Sequence, residues 1–173
     1  MPKQLLKAKH STDIDAENSH HNVTQFLTFE LCSEVYGIDI LNIREIIDYG
    51  NITRVPMMSE FIAGVVNLRG NVVPVVDLAL RFSQVPAAKT KRTSIVIVDV
   101  EYEGLKLEIG VTVDIVNEVL EILSTDIEPA PSFGTKIRTD FIRGMGKING
   151  KLLVLLDIAT ILSVAELSIV NET

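Results

Sequence analysis

FIAGVVNLRGNVVPVVDLA (Phe61–Ala79) and FIRGMGKINGKLLVLLDIA (Phe141–Ala159) are two versions of one pattern. Phe, Ile, two glycines, Asp and Ala coincide, and most other positions are apolar in both. Upstream, YGIDILNIREII (Tyr36–Ile47) matches IGVTVDIVNEVL (Ile109–Leu120), with Gly37 on Gly110 and Glu45 on Glu118, and Pro56 falls on Pro129. Shared glycines, acids and prolines in the same order exceed what generic strand patterning gives, so two similar modules were built from one plan.

The second copy turns at Asn149-Gly150, the strongest two-residue hairpin signal in the chain. The first copy has Arg69-Gly70 there, so Arg69 belongs on or beside a tight turn where Gly70 supplies positive φ. Pro74 removes a ladder donor from the strand that follows, which predicts an edge or bulged strand; the second copy has Val154. The two modules thus differ at one rim, where one carries a cation and the other an amide.

Working outward, Leu27, Phe29 and Leu31 alternate with Thr28 and Glu30, the pattern of a half-buried strand. Further short strands are read at Tyr36–Ile40, Ile43–Tyr49, Val65–Leu68, Val72–Val76, Ser94–Glu101, Leu105–Val113, Val116–Ile122, Met145–Ile148 and Leu152–Leu156. Valine and isoleucine dominate them, as half-buried pleated surfaces favour. Glu60–Ala63 and Asp140–Arg143 read as single helical turns, and Asp77 and Asp157 as N-caps of short helices. Ile158, Ile161, Leu162 and Ala165 fall on one face of the second. The fold class is all-β with a few short helices, and two small barrels are expected because closing a sheet removes its exposed edges. Met1–Asn22 is polar and aperiodic and reads as a disordered tail. The body spans about 23–165, with modules of about 23–86 and 87–165 around the Ser/Pro/Lys-rich connection Ser83–Arg92. The pattern leaves open whether strands exchange between the modules.

Composition narrows the function. The net charge is −7 with no run of Lys or Arg, which argues against binding a phosphate backbone. The one cysteine, Cys32, cannot form an intrachain disulfide. His10, His20 and His21 all lie in the tail, so the body lacks the histidine that a Ser-His-Asp, Cys-His or ordinary zinc site requires, and no metal or cofactor is expected. Asp39, Asp48, Asp77, Asp99 and Asp114 are the remaining material for acid–base chemistry. Their places at strand ends and turns read as caps and solvated edges. No apolar stretch approaches a bilayer span and no signal peptide is evident, so a cytosolic location is expected. An arginine between strongly apolar strands is expected to pair or to form an interface, and Glu45, on an apolar strand of the same module, is the predicted partner of Arg69.

YGIDILNIREI, VPMMSEFIAGVVNLRGNVVPVVDL and FIRGMGKINGKLLVLLDI resemble the bacterial chemotaxis coupling proteins of the CheW family, from about Gln25 to Leu162. The resemblance implies two five-stranded SH3-like β-barrels packed around a shared apolar core, and no enzyme activity. It implies an adaptor that joins methyl-accepting chemoreceptors to the regulatory domain of the histidine kinase CheA, in arrays at the inner face of the membrane. A stand-alone coupler is preferred over a receiver fusion. Family positions associated with coupling map to Glu45 and to Asn67, Leu68 and Arg69 of the Asn-Leu-Arg-Gly motif. Ile43 maps to an apolar partner-contact position, and Val116 and Val119 map to the receptor-facing side. For Ile43, Val116 and Val119, plain core packing is an equal expectation. The alternatives are a β-barrel binding module for another two-component kinase, and an enzyme built on paired carboxylates.

Overall fold

The structure is a computed structural model in which residues 22–132 and 134–167 are described. Eleven strands are found among them: β1 (Val23–Leu31), β2 (Glu34–Asp39), β3 (Ile43–Asp48), β4 (Ile62–Leu68), β5 (Asn71–Val76), β6 (Ser94–Tyr102), β7 (Leu105–Val113), β8 (Ile115–Leu123), β9 (Ile127–Glu128), β10 (Ile142–Ile148) and β11 (Lys151–Leu156). Three four-residue helices, α1 (Leu78–Arg81), α2 (Ile158–Ile161) and α3 (Val164–Leu167), follow the two repeated hairpins. Sheet I has the order β8-β1-β2-β11-β10-β9 and sheet II the order β3-β6-β7-β5-β4. Sheet II has the expected five strands, and sheet I gains a sixth in the two-residue β9. Almost all of the N-terminal tail lies outside the described residues.

The repeat maps onto the sheets strand for strand. The seam between β5 and β7 is parallel and pairs Val75 with Gly110. The seam between β11 and β2 is also parallel and pairs Leu155 with Gly37, the repeat equivalents. Both hairpins carry a bulge at the same place, between Ile62 and Gly64 and between Ile142 and Gly144. Sheet II is one unbroken stretch from β3 to β7, whereas sheet I takes β1 and β2 from before it and β8 to β11 from after it. The connection Ser83–Arg92 therefore joins strands of the same sheet. Its composition marks a loop, but composition carries no information about which strands pair across it.

Three apolar clusters hold this arrangement. Val66, Val73, Val75, Ile95 and Ile97 fill the inside of sheet II. Phe26, Ile122, Leu153 and Leu155 fill the inside of sheet I. The largest cluster lies between the sheets and takes Leu27, Phe29 and Ile38 from one, Val96, Val98 and Val111 from the other, and Leu78, Ile158 and Ile161 from the helices. Strand β6 alternates between two cores, Ile95 and Ile97 inward and Val96, Val98 and Val100 outward. That double burial explains why it reads as a continuous apolar run.

Of the edge or bulged strand that Pro74 suggested, the edge is not found, while the β4–β5 ladder is bulged one pair away, between Ile62 and Gly64. Strand β5 lies between β7 and β4. Val65, opposite Pro74, exchanges both backbone bonds with Thr53 at 2.8 and 2.9 Å. Its backbone therefore faces away from β5, and the nitrogen of Pro74 faces β7. Val154 pairs with Tyr36 across the corresponding seam of sheet I, while Pro74 has no ladder partner on β7. The proline shifts the seam by one residue rather than marking a sheet edge: β5 pairs with β7 through Val75 and Val76, where β11 pairs with β2 through Val154 and Leu155.

Three helical readings are corrected. Ile62 and Ala63 are in β4, preceded by a turn that Ile62 N–H closes on Ser59 C=O at 3.0 Å. In the second copy the helical turn is a 3-10 turn at Thr139–Phe141, and Ile142 and Arg143 are in β10. β-branched Ile62 and Ile142 extend the hairpins instead of coiling. The helix expected through Ala165 breaks after Ile161, and the Ser163 hydroxyl accepts from Glu166 N–H to start α3. Asp77 and Asp157 do cap α1 and α2, accepting from Leu80 and Thr160 N–H at 3.2 and 3.1 Å.

A Cβ on Gly64 would lie 2.5 Å from the Thr53 carbonyl oxygen, a backbone atom with little room to retreat. Gly64→Ala is expected to lower stability by about 2–3 kcal/mol. Gly50→Ala, with nothing within 4 Å of the added carbon, is expected to stay within roughly 0.5 kcal/mol of wild type. Urea unfolding of the two variants side by side checks this.

Candidate functional site

The β4–β5 hairpin ends in the turn its sequence required. Arg69 and Gly70 have φ of 52° and 89°, and Asn149 and Gly150 repeat the conformation at 51° and 77°. The Asn67 carboxamide oxygen accepts Gly70 N–H at 3.0 Å and stiffens the tip. From it the Arg69 guanidinium reaches Glu45 with two parallel bonds, Nη2 to Oε2 at 2.7 Å and Nη1 to Oε1 at 3.2 Å. Glu45 stands at a bulge of β3, where the register against β6 slips between Ile43 and Glu45. Since β3 and β4 are opposite ends of sheet II, the ion pair bridges the sheet's two edges.

The hydrogen bond from Arg69 holds the Glu45 carboxyl below its ordinary range, and the reciprocal bond raises the guanidinium. The Arg69 side chain is 64% exposed and that of Glu45 29%. Water and salt screen such a pair, so it contributes little to stability. What it supplies is a fixed, planar, charged rim, because a bidentate guanidinium–carboxylate pair has one geometry. Arg44, next on the strand, bridges Asp99 at 3.3 Å and also Glu108.

The other sequence-derived residues divide between surface and core. Leu68 packs on the inside of sheet II. Ile43 and Val116 both pack against the shared core. Val119 is 48% exposed on β8, an edge of sheet I. The structure brings Arg69, Asn67 and Glu45 together on sheet II and leaves Val116 and Val119 on sheet I. The repeat places Ile43, Glu45 and Ile46 on Val116, Glu118 and Val119. Ile46 is 43% exposed and pairs with Val96 as Val119 pairs with Leu27. Ile46 thus holds on sheet II the place that Val119 holds on sheet I, and the alignment of the two copies already pairs them.

Arg81 was missed, and no sequence signal marks it. It is buried at the end of α1, where Nε donates to the Ile161 carbonyl at 2.7 Å and Nη2 to Glu166 Oε1 at 2.5 Å. Its guanidinium carbon lies 5.2 Å from the Phe61 ring centre and 4.9 Å from that of Phe141, residues that coincide in the repeat. Arg138 adds a second bond to Glu166 at 3.1 Å and pairs with Asp140 at 2.7 Å. Arg81 first, then Arg138, holds the Glu166 carboxyl below its usual range. A cation from the first hairpin's helix thus anchors the helices after the second.

Four of the five aspartates weighed for acid–base chemistry have other employment. Asp39 accepts Leu41 N–H at 2.9 Å and pairs with Arg143 at 3.0 Å. Asp114 accepts Cys32 N–H at 2.8 Å, Asp99 pairs with Arg44, and Asp77 caps α1. Caps and bridges are structural work.

Two sheets curled over separate cores, joined by a third and edged by paired charges, match a known family. The model of the CheW-like domain matches residues 25–166. The chain belongs to the CheW family. A chemotaxis protein CheW from Klebsiella aerogenes is 37% identical over 148 residues, covering 86% of this chain and 87% of that one. A CheW from Helicobacter pylori is 34% identical over 146 residues, covering 84% and 86%. The crystal structure of the scaffolding protein TtCheW from Thermoanaerobacter tengcongensis superposes with a TM-score of 0.72 at 36% identity, covering 80% of this chain and 86% of that one. Among the described residues no helix is long and apolar enough to cross a membrane.

Two measurements check the role of Arg81. Arg81→Ala removes a buried cation whose guanidinium packs against two rings, and is expected to cost about 2–4 kcal/mol in urea unfolding. The second uses pH. Because the Glu166 carboxyl sits below its ordinary 4.5 in the folded chain, its contribution is complete above that value and is lost as pH falls through the lowered one. Glu166→Gln is therefore expected to be less stable than wild type at neutral pH, and the gap to narrow on acidification.

Proposed function

We propose that the chain is a non-catalytic chemotaxis adaptor that couples methyl-accepting chemoreceptors to the histidine kinase CheA in arrays at the inner face of the membrane. The observation that carries this reading is the likeness, over most of both chains, to a protein described as a scaffold. We place the partner contacts at Ile43, Glu45, Asn67, Leu68, Arg69, Val116 and Val119. The division of these residues between two sheets supports a two-sided connector, with one charged rim on sheet II and one apolar edge on sheet I.

An adaptor of this kind acts through differences in affinity. A receptor state that binds it better with the kinase in one arrangement shifts the kinase toward that arrangement. Each contact is allowed to be weak, since a lattice of linked contacts holds by effective concentration. A fixed guanidinium–carboxylate rim suits this task because it sets register at little conformational cost on binding.

The test is a reconstitution of receptor, CheA and the purified chain, read as receptor-dependent kinase phosphorylation. Arg69→Ala and Glu45→Lys are each expected to weaken coupling roughly tenfold, with the thermal midpoint unchanged because the pair is screened. Full kinase activation by both variants would remove the pair from the interface. A chain that ignores receptors yet captures a different two-component kinase would favour the scaffold alternative.

A further inference from the structure

The two copies differ in one charged contact, and that difference leaves an acid without its base. Glu118 is the repeat equivalent of Glu45 and occupies the same bulge. On β8 the register against β1 slips between Val116 and Val119, and Thr28 Oγ1 both donates to Glu118 C=O at 2.7 Å and accepts Glu118 N–H at 3.2 Å. The hairpin tip that faces it carries Asn149 where sheet II has Arg69. In sheet II the tip arginine reaches across to the carboxylate and closes the edge. In sheet I no ion pair to Glu118 is formed among the described residues. Between Glu118 and the tip lies a groove of about 560 Å³.

The groove walls suit a protein segment. Val35 and Leu152 line it and are 41% and 59% exposed, apolar surface that no described residue covers. Lys151 lines it too but makes no ion pair with Glu118 within 4 Å. A lysine ammonium is a strongly hydrated point charge, whereas a guanidinium is planar, less hydrated and matched to a carboxylate in a bidentate pair. Arginine is also, with tryptophan and tyrosine, one of the residue types enriched at the energetic centres of interfaces. Sheet II contains the template for this contact within the molecule.

We infer that the groove between β8 and the β10–β11 tip docks an arginine-bearing apolar segment of a partner protein, with Glu118 as the acceptor of the guanidinium. The partner's arginine takes the place that Arg69 occupies against Glu45, and Val35 and Leu152 take its apolar flanks. This rests on the adaptor reading, and it makes the two ends of the molecule unlike: sheet II arrives with its rim already paired, and sheet I completes its rim only in the complex.

Two substitutions test it from opposite directions. Glu118→Gln removes the acceptor from an exposed position. Asn149→Arg supplies the cation from within and closes the groove as sheet II is closed. The receptor cytoplasmic tip and the CheA regulatory domain are titrated separately into wild type and both variants by calorimetry. One of the two partners is expected to bind at least about tenfold more weakly to both variants, with unfolding midpoints not lowered. Unchanged binding of both partners to both variants would overturn the inference and leave the adaptor reading standing. A wild-type chain that binds neither partner would overturn the adaptor reading itself, and the inference with it. Should sedimentation show a wild-type dimer that both variants abolish, the groove is filled by a second copy and the inference as stated is wrong.

Discussion

Burial of the outer faces of two curled sheets against each other governs the rest of this molecule. Each sheet has apolar side chains on two faces along its central strands, so neither is stable facing water alone. Phe29 and Ile38 of sheet I and Val96, Val98 and Val111 of sheet II are fully buried in the common layer. The four-residue helices α1 and α2 add Leu78, Ala79, Ile158 and Ile161 to that layer, and Asp77 and Asp157 cap them at its entrance.

The same constraint decides where charge is admitted. Arg81 is the charged side chain carried deepest, and it is tolerated because two rings, a carbonyl and a carboxylate surround it. Arg69 stays outside, at a tip whose backbone is held by glycine and Asn67, and spends its two bonds on Glu45. One cation stabilises the joint between the repeats, while the other shapes a surface. The seams are offset for an equally local reason: Pro74 cannot donate to β7, so the parallel ladder of sheet II begins at Val75 where that of sheet I begins at Val154.

A duplicated plan used twice in one chain gives two chemically related edges, and adaptors need edges that are related but not identical. Bulges at Glu45 and at Glu118 present carboxylates in equivalent places, and the hairpin tips answer one of them with arginine and the other with an amide. An adaptor achieves specificity through such rim differences, because its cores are committed to holding the sheets together.

Much of this was readable one residue at a time. The period-two runs, the Arg69-Gly70 and Asn149-Gly150 turns and the aspartate caps follow from local backbone preferences, which act over a few residues and leave a direct trace in the chain. The Arg69–Glu45 pair was also foreseeable, since a tip arginine beside apolar strands has few acceptors within its module. What the tertiary structure alone decided is pairing at a distance. The β1–β2 hairpin joins strands from the far end of the chain, because parallel seams at Gly37 and Gly110 are selected by how two sheets share one core and not by any local propensity. For the same reason the burial of Arg81 was invisible: its cavity is assembled from Phe61, Phe141, Ile161 and Glu166, which meet only after both sheets have formed.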